Sequence, residues 1–497
     1  MLLLLLGCSG KVEECEPLAA SASMIPDLPM FSELTEIWPG ERGPGLALAD
    51  LDADGWLDLV LALPTGSSRI YRNDGTGELL PASALVDGRP LPSANGVAAD
   101  DLNNDGVTDL VLTTQHGSPD AILYGLGGLR YTARLLPDSL GEAKTPSLAD
   151  FDADGDLDLF ISGFVPDANG ALIAQGKQVS DGSRLYRQDD GIFVSQALPE
   201  GVLAGLNYQG IWLDAEQDGD LDLYLTNDHG NQAQGNRLLR GDGSGGLTLD
   251  EDCDCNITID GMGGDITDVN DDGLPDIFLA DDGNPHLLLS VDGDGFADAA
   301  AALSLLPDRD ESGVSWGCQF ADFDADGRDD LAVAFGELGR EDGSDPGDRE
   351  DDRIFLANPD GTFTDASAAV GFDSSQRARS LVVGDLDRDG RPEVVIGGRL
   401  FVRIWTFSGG CPPGVTLQLD GPPGNPHGLG ARVDVDLADR RTTRWLAPSS
   451  TYGASAPELY LGTGGEPVIS KLTVTWPDGT QSMASDIEAG TIASVAY

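Results

Sequence analysis

Apolar positions in this chain fall in short runs rather than helical stripes. GLALA, NGVAA and SLVVG precede a cluster of acidic residues, and LVLAL, LVLTT, LFISGF and VVIGG follow one. Runs this short, rich in Leu and β-branched residues and bounded by Gly, predict strands. The unit is strand, acidic turn, strand.

That unit recurs. It reads ADLDADGWLDLVL from Ala49, ADFDADGDLDLFI from Ala149, ADFDADGRDDLAV from Ala321 and GDLDRDGRPEVVI from Gly384, with further copies between. The first Asp of each copy is Asp50, Asp101, Asp150, Asp214, Asp268, Asp322 or Asp385. Their mean spacing of about 56 residues matches a propeller blade with its loops. After each turn comes an apolar strand, an Asn/Asp/Gly turn and a return strand, as in RIYRNDGTGE from Arg69 and RIFLANPDGTFTDAS from Arg353. That is hairpin chemistry, and it makes four strands per repeat. Such units bury their faces only against neighbours, so seven of them predict a closed ring, a seven-bladed all-β propeller over residues 30–408. FVRIWTF, from Phe401, has no return strand, and FSELTE, from Phe31, is expected to supply it and close the ring.

Crowded carboxylates need a counter-charge, because like charges ~4 Å apart repel by about 4 kcal/mol near a protein surface. Each turn offers oxygen ligands at positions 1, 3, 5 and 9. The first three turns supply Asp50, Asp52, Asp54 and Asp58; Asp101, Asn103, Asp105 and Asp109; and Asp150, Asp152, Asp154 and Asp158. The fourth and fifth supply Asp214, Glu216, Asp218 and Asp222, then Asp268, Asn270, Asp272 and Asp276. The last two supply Asp322, Asp324, Asp326 and Asp330, then Asp385, Asp387, Asp389 and Glu393. Position 6 is always Gly, which allows the loop to fold back. Six to eight oxygens from a flexible loop suit Ca²⁺ better than Mg²⁺, so up to seven calcium sites are expected. An EF-hand would need Glu at position 12 and flanking helices; here the last acid stands at position 9 and strands follow. Glu216, Asn103, Asn270 and Glu393 mark the least regular turns.

The pattern A-D-x-D-x-D-G-x-x-D-L, followed by an N-D-G-x-G-x-F hairpin, resembles the VCBS/FG-GAP repeats of integrin-α-like propellers. NPHGLGARVDV from Asn425, STYGASAPELYLGTG from Ser450 and VTWPDGTQ from Val474 resemble an ASPIC/UnbV domain. The resemblance implies the pairing of modules found in cartilage acidic protein and its bacterial relatives. From the residues alone, VTLQLD, ARVDVDL, ELYLG and KLTVTW alternate apolar and polar positions between Pro/Gly turns, predicting a small β domain over 412–497. Asn425, His427 and Arg432 read as residues that tie a turn together, and GLGAR lacks the third glycine and helix of a nucleotide loop.

The formal net charge of −56 argues against nucleic acid and anionic lipid as partners. MLLLLLGC is too short to span a bilayer and resembles a bacterial lipobox, which would make residues 1–8 a lipoprotein-type signal whose Cys8 becomes the lipidated first residue after cleavage before it. Residues 9–29 would then be a tether. The expectation is an exported outer-membrane or cell-surface lipoprotein touching the membrane only through its anchor, or alternatively a secreted protein. Five cysteines remain, an odd number, and Cys253-Asp254-Cys255 reads as a disulfide or free thiols rather than zinc.

Near-identical sites around a ring suit stabilisation better than catalysis. The four histidines, His116, His229, His286 and His427, stand at no metal or triad spacing, and His229 and His286, just after strands, are the best surface candidates. GELGREDGSDPGDREDDR, from Gly336, reads as a solvated acidic loop. The expected function is a monomeric, non-enzymatic binding or adhesion module for protein or glycan. A polysaccharide hydrolase or lyase on the same fold, and an accessory role in a biosynthetic cluster, are the alternatives.

Overall fold

The computed structural model describes residues 15–25, 43–115, 117–164, 182–189, 191–202, 206–228, 230, 234–292, 295–306, 313–336, 350–372, 377–398, 401–438 and 440–497. Gly45–Ala49 pairs antiparallel with Asp58–Ala62, which pairs with Arg69–Asn73, which pairs with Leu79–Ala82. Six further four-stranded units of this order start at Gly96–Asp100, Ala143–Ala149, Leu206–Leu213, Gly261–Thr267, Gly313–Ala321 and Ala378–Gly384. Each first strand lies beside the first strand of the next unit, and Ala378–Gly384 lies beside Gly45–Ala49. The sheets therefore form a closed ring, a β-propeller, with each acidic turn joining a first strand to a second.

Apolar clusters fill the gaps between neighbouring sheets, such as Leu48, Leu59, Tyr71, Val382 and Val395 between the last and the first. Second strands are covered on both faces. Asp58–Ala62, Asp109–Thr113, Asp158–Gly163 and Asp330–Phe335 are buried at every position, which is why their sequences run apolar without alternation.

Ring closure corrects two expectations. Residues 16–24, read as part of a tether, form the strand Glu16–Met24, paired antiparallel with Phe401–Gly410 so that Ala22 faces Trp405. This strand holds the place expected for the segment from Phe31, and residues 31–36 lie outside the described residues. The physical reason is position: an outermost strand buries one face at most, and here Leu18 alone is fully buried. A disulfide between Cys15 and Cys411 pins its start, and a second joins Cys253 to Cys255, while Cys318 is a buried free thiol.

The C-terminal domain packs two sheets. Val415–Asp420 lies between Glu458–Leu461 and Thr491–Ala496, and Arg432–Asp436 lies between Arg441–Trp445 and Val468–Thr475, with Gln481–Glu488 outermost. Leu417, Val433, Leu472 and Trp476 are buried in the core they share. The four strands expected from alternation are among these.

The segment STYGASA leaves this domain and enters the centre of the ring, where it meets all seven first strands. Ala454 pairs with Ala47; the Val97 amide donates to the Tyr452 carbonyl at 3.2 Å, and the Tyr452 amide to Thr145 Oγ1 at 2.7 Å. Gln209 Nε2 donates to the Ser449 carbonyl, Thr451 Oγ1 to the carbonyls of Met262 and Trp316, and Ser450 Oγ to that of Leu381. Glycines admit the plug: a Cβ on Gly263 would lie 1.9 Å from Thr451 Oγ1, and one on Gly453 1.9 Å from the Leu46 carbonyl oxygen. Tyr452, at its tip, packs edge-on against Tyr208, with Lys144 Nζ 5.8 Å from its ring centre.

Candidate metal centre

Six of the seven acidic turns share the same backbone bonds to the position-1 carboxylate. It accepts from the amides of positions 5 and 6, as Asp50 does from Asp54 at 3.1 Å and Gly55 at 2.8 Å. In the sixth, Asp322 accepts from Gly327 while the Asp326 amide donates to Asp324 instead. The position-5 carboxylate accepts from the amide of position 7, as Asp54 does from Trp56. The position-9 carboxylate bridges two segments: Asp58 accepts from Leu51 in its own turn and from Asn73 on the third strand. Two residues per turn are left-handed. Gly at position 6 was legible in the sequence, but position 4 was not, because Ala53, Asn104, Ala153, Gln217, Asp271, Ala325 and Arg388 share no chemistry.

Carboxylate oxygens of positions 1, 3 and 9 come within 4.8 Å of one another in four turns. These groups are Asp50, Asp52 and Asp58; Asp150, Asp152 and Asp158; Asp322, Asp324 and Asp330; and Asp385, Asp387 and Glu393. The position-5 residues Asp54, Asp154, Asp326 and Asp389 stand outside these groups. In the second and fifth turns position 3 is an amide: Asn103 and Asn270 accept from the amides of Asp105 and Asp272, and Asp101, Asp105, Asp109, Asp268, Asp272 and Asp276 keep the shared backbone pattern. The fourth turn has carboxylates at all its positions, Asp214, Glu216, Asp218 and Asp222, yet forms no such group.

The sixth turn shows most clearly what the arrangement suits. Asp322 is 3% exposed, and its Oδ1 is buried without a hydrogen-bond partner, beside Asp324 and Asp330. A buried carboxylate oxygen facing two more carboxylates is costly unless a cation lies among them. The donor set is all oxygen, which fits a hard ion such as Ca²⁺. On protein charges alone, burial, reinforced by neighbouring carboxylates, raises Asp58, Asp109, Asp150 and Asp222 to about 7. It raises Asp276 to about 8 and Asp158 to about 9, and lifts Asp322, Asp330 and Glu393 well above the usual range. A divalent ion bound in a turn would reverse this for the carboxylates of that turn, holding them ionised at neutral pH.

The C-terminal domain sits on the face that carries these turns. Gly462 and Thr416 donate to the position-1 residues Asp322 and Asp385 at 2.9 and 2.8 Å, and the Leu157 amide donates to Gly424. Arg432 reaches Gln217, Arg440 reaches Asp271, and Arg388 pairs with Glu458. Of the residues read as turn ties, Asn425 is one, bonded both ways to Leu429, whereas His427 and Arg432 bridge to the ring. Asp100 beside His427 pushes the imidazole up to about 9. His286 contacts Asp298 at 2.6 Å on the far rim. Cys8, His116, His229 and residues 337–349 lie outside the described residues.

A ring of four-stranded sheets with acidic turns defines a β-propeller of repeat type. Residues 50–112, 101–161, 268–333 and 342–396 match the FG-GAP-like repeat, and residues 421–497 match ASPIC and UnbV. The chain belongs to the FG-GAP-repeat propellers that carry a C-terminal ASPIC/UnbV domain. No curated protein matches the sequence. Among solved structures it is similar to an Agrocybe aegerita lectin described as recognising non-reducing terminal N-acetylglucosamine, at 16% identity over 74% of this chain and 100% of that one, TM-score 0.44. It is also similar to a streptogramin B lyase, at 11% identity over 79% and 98% of the two chains, TM-score 0.44. A crystal structure of BBS1N in complex with ARL6DN gives 11% identity over 74% and 93% of the two chains, TM-score 0.45. These likenesses extend to fold alone.

Proposed function

We propose that the protein is an exported, calcium-stiffened binding module, anchored by lipid at Cys8, that holds a protein or glycan ligand on the ring face remote from the acidic turns. The supporting observation is how much of the ring is already engaged within the chain. The C-terminal domain covers the face with the turns, and STYGASA fills the centre through bonds to every first strand. The antiparallel order sends the connections from second to third strands, and from each fourth strand to the next sheet, to the opposite end. Loops on a rigid scaffold are where recognition concentrates.

Leu140, 58% exposed on one of those connections, probes this surface, and Met483, 68% exposed on the C-terminal domain, is its control. Ligands captured from glycan arrays and surface-protein extracts by the full chain should be lost with Leu140→Asp or similar far-face variants and kept with Met483→Asp. Capture insensitive to far-face charge but abolished by Met483→Asp would move the binding surface to the C-terminal domain. Cys8→Ser should shift the protein from the membrane fraction to the soluble one.

A further inference from the structure

The fourth turn behaves unlike its neighbours, and the difference lies in one arginine. Arg72, Arg187 and Arg240 hold the same register on the third strands of the first, third and fourth sheets, each following the residue paired to the one after position 9. Arg72 and Arg187 lean in from solvent, with side chains 49% and 41% exposed. Arg72 pairs with Asp52 and Asp54; Arg187 lies 3.7 Å from Asp152. Neither has an ion pair with the position-9 carboxylate. Arg240 is only 18% exposed and reaches inside: Nη1 pairs with Glu216 and lies 3.3 Å from Asp222 Oδ2, while Nε pairs with Asp250 at 2.9 Å.

We propose that the Arg240 guanidinium is the built-in counter-ion of the fourth turn, taking the place that calcium takes in the others. This rests on the calcium reading of the remaining turns and adds to it. Glu at position 3, one methylene longer than the usual Asp, carries its carboxylate out to the guanidinium, so positions 1, 3 and 9 do not converge as they do in the first, third, sixth and seventh turns. Guanidinium keeps its charge throughout the physiological range, so the neutralisation is permanent. A divalent ion approaching Asp222 would meet a fixed positive charge within contact distance. The same sheet carries a second fastening independent of metal. The Cys253–Cys255 disulfide follows its outer strand Leu247–Asp250, and Tyr224 donates to the Cys255 carbonyl at 2.8 Å. The fourth sheet is thereby the part of the ring whose folding needs no ion.

Bound calcium per full-length chain, measured by equilibrium dialysis with elemental analysis, tests this. Glu216→Gln should leave the wild-type stoichiometry unchanged, and the double variant Glu216→Asp, Arg240→Leu should gain one ion. In excess chelator, hydrogen exchange should leave the strands Asp222–Asp228 and Arg237–Gly241 more protected than the corresponding strands of the third and sixth sheets. Loss of one ion in Glu216→Gln, with the other ions retained, would overturn the inference and leave the calcium reading standing. A wild-type chain that binds no calcium would remove both.

Discussion

The Gly462 amide, in the C-terminal domain, donates a 2.9 Å hydrogen bond to Asp322 Oδ2, the first carboxylate of the sixth acidic turn. A neighbouring pair repeats the relationship, Thr416 Oγ1 with Asp385 Oδ2 at 2.8 Å. The domain thus grips the carboxylates that the proposed ions would organise. A Cβ on Gly462 would stand 2.0 Å from Asp322 Oδ2 and 2.5 Å from the Ala325 carbonyl carbon, so no side chain fits without moving the turn. Gly462→Ala should destabilise the chain by about 1–3 kcal/mol, the range for forced overpacking. Limited proteolysis should then release fragments from 412–497 before the ring is cut.

The plug is expected to support the ring from within. Gly453→Val would drive a side chain into the Leu46 carbonyl and expel STYGASA. Trp316, fully buried beside Tyr208, would then meet water. Its fluorescence should shift to the red at temperatures where the wild type is folded; an unshifted spectrum with the variant folded would mean the centre closes without the plug.

Reduction should act at the seam. The Cys15–Cys411 disulfide spans 396 residues and clasps the strand Glu16–Met24 to the last sheet. Cys15→Ser should cost about 2–5 kcal/mol, the usual loss for a native disulfide. Hydrogen exchange should rise first over 16–24 and 401–410. A uniform rise around the ring would contradict the clasp.

Dependence on pH follows from the raised carboxylates. A carboxyl whose folded pKa exceeds its unfolded value of ~3.9 favours the fold at low pH and loses that contribution as pH climbs through the folded value. For Asp58 and Asp109 that value is about 7 and for Asp158 about 9. Without calcium the chain should therefore lose stability from about pH 4 to pH 9, with the steepest dependence on calcium at the alkaline end. The gap between calcium-loaded and chelated melting temperatures should be larger at pH 8 than at pH 5.

Much of this was legible because repetition carries it. Position-1 carboxylates, Gly at position 6 and the apolar second strands recur at fixed offsets, so Asp50, Gly55 and LVLA announce the same turn as Asp322, Gly327 and LAVA. The elements that occur once were harder. Glu16–Met24 hid because an outer strand buries little; STYGASA hid because its role is set by polar groups on seven distant strands, not by its own pattern. Arg240 shares its register with Arg72 and Arg187, and only the geometry distinguishes an arginine that reaches position 9 from one that stays in solvent.

The proposed role of divalent ions is to neutralise the acidic turns and hold the ring together. Its most direct test is thermal unfolding of the full chain at neutral pH in excess chelator and in ~1 mM Ca²⁺. With dissociation constants of ~10⁻⁴ to 10⁻³ M, each loaded turn contributes roughly 0.4 to 1.4 kcal/mol, so several together should raise the melting temperature by many degrees, and re-addition of calcium should restore it. Superimposable melting curves would mean that no bound ion holds the ring together.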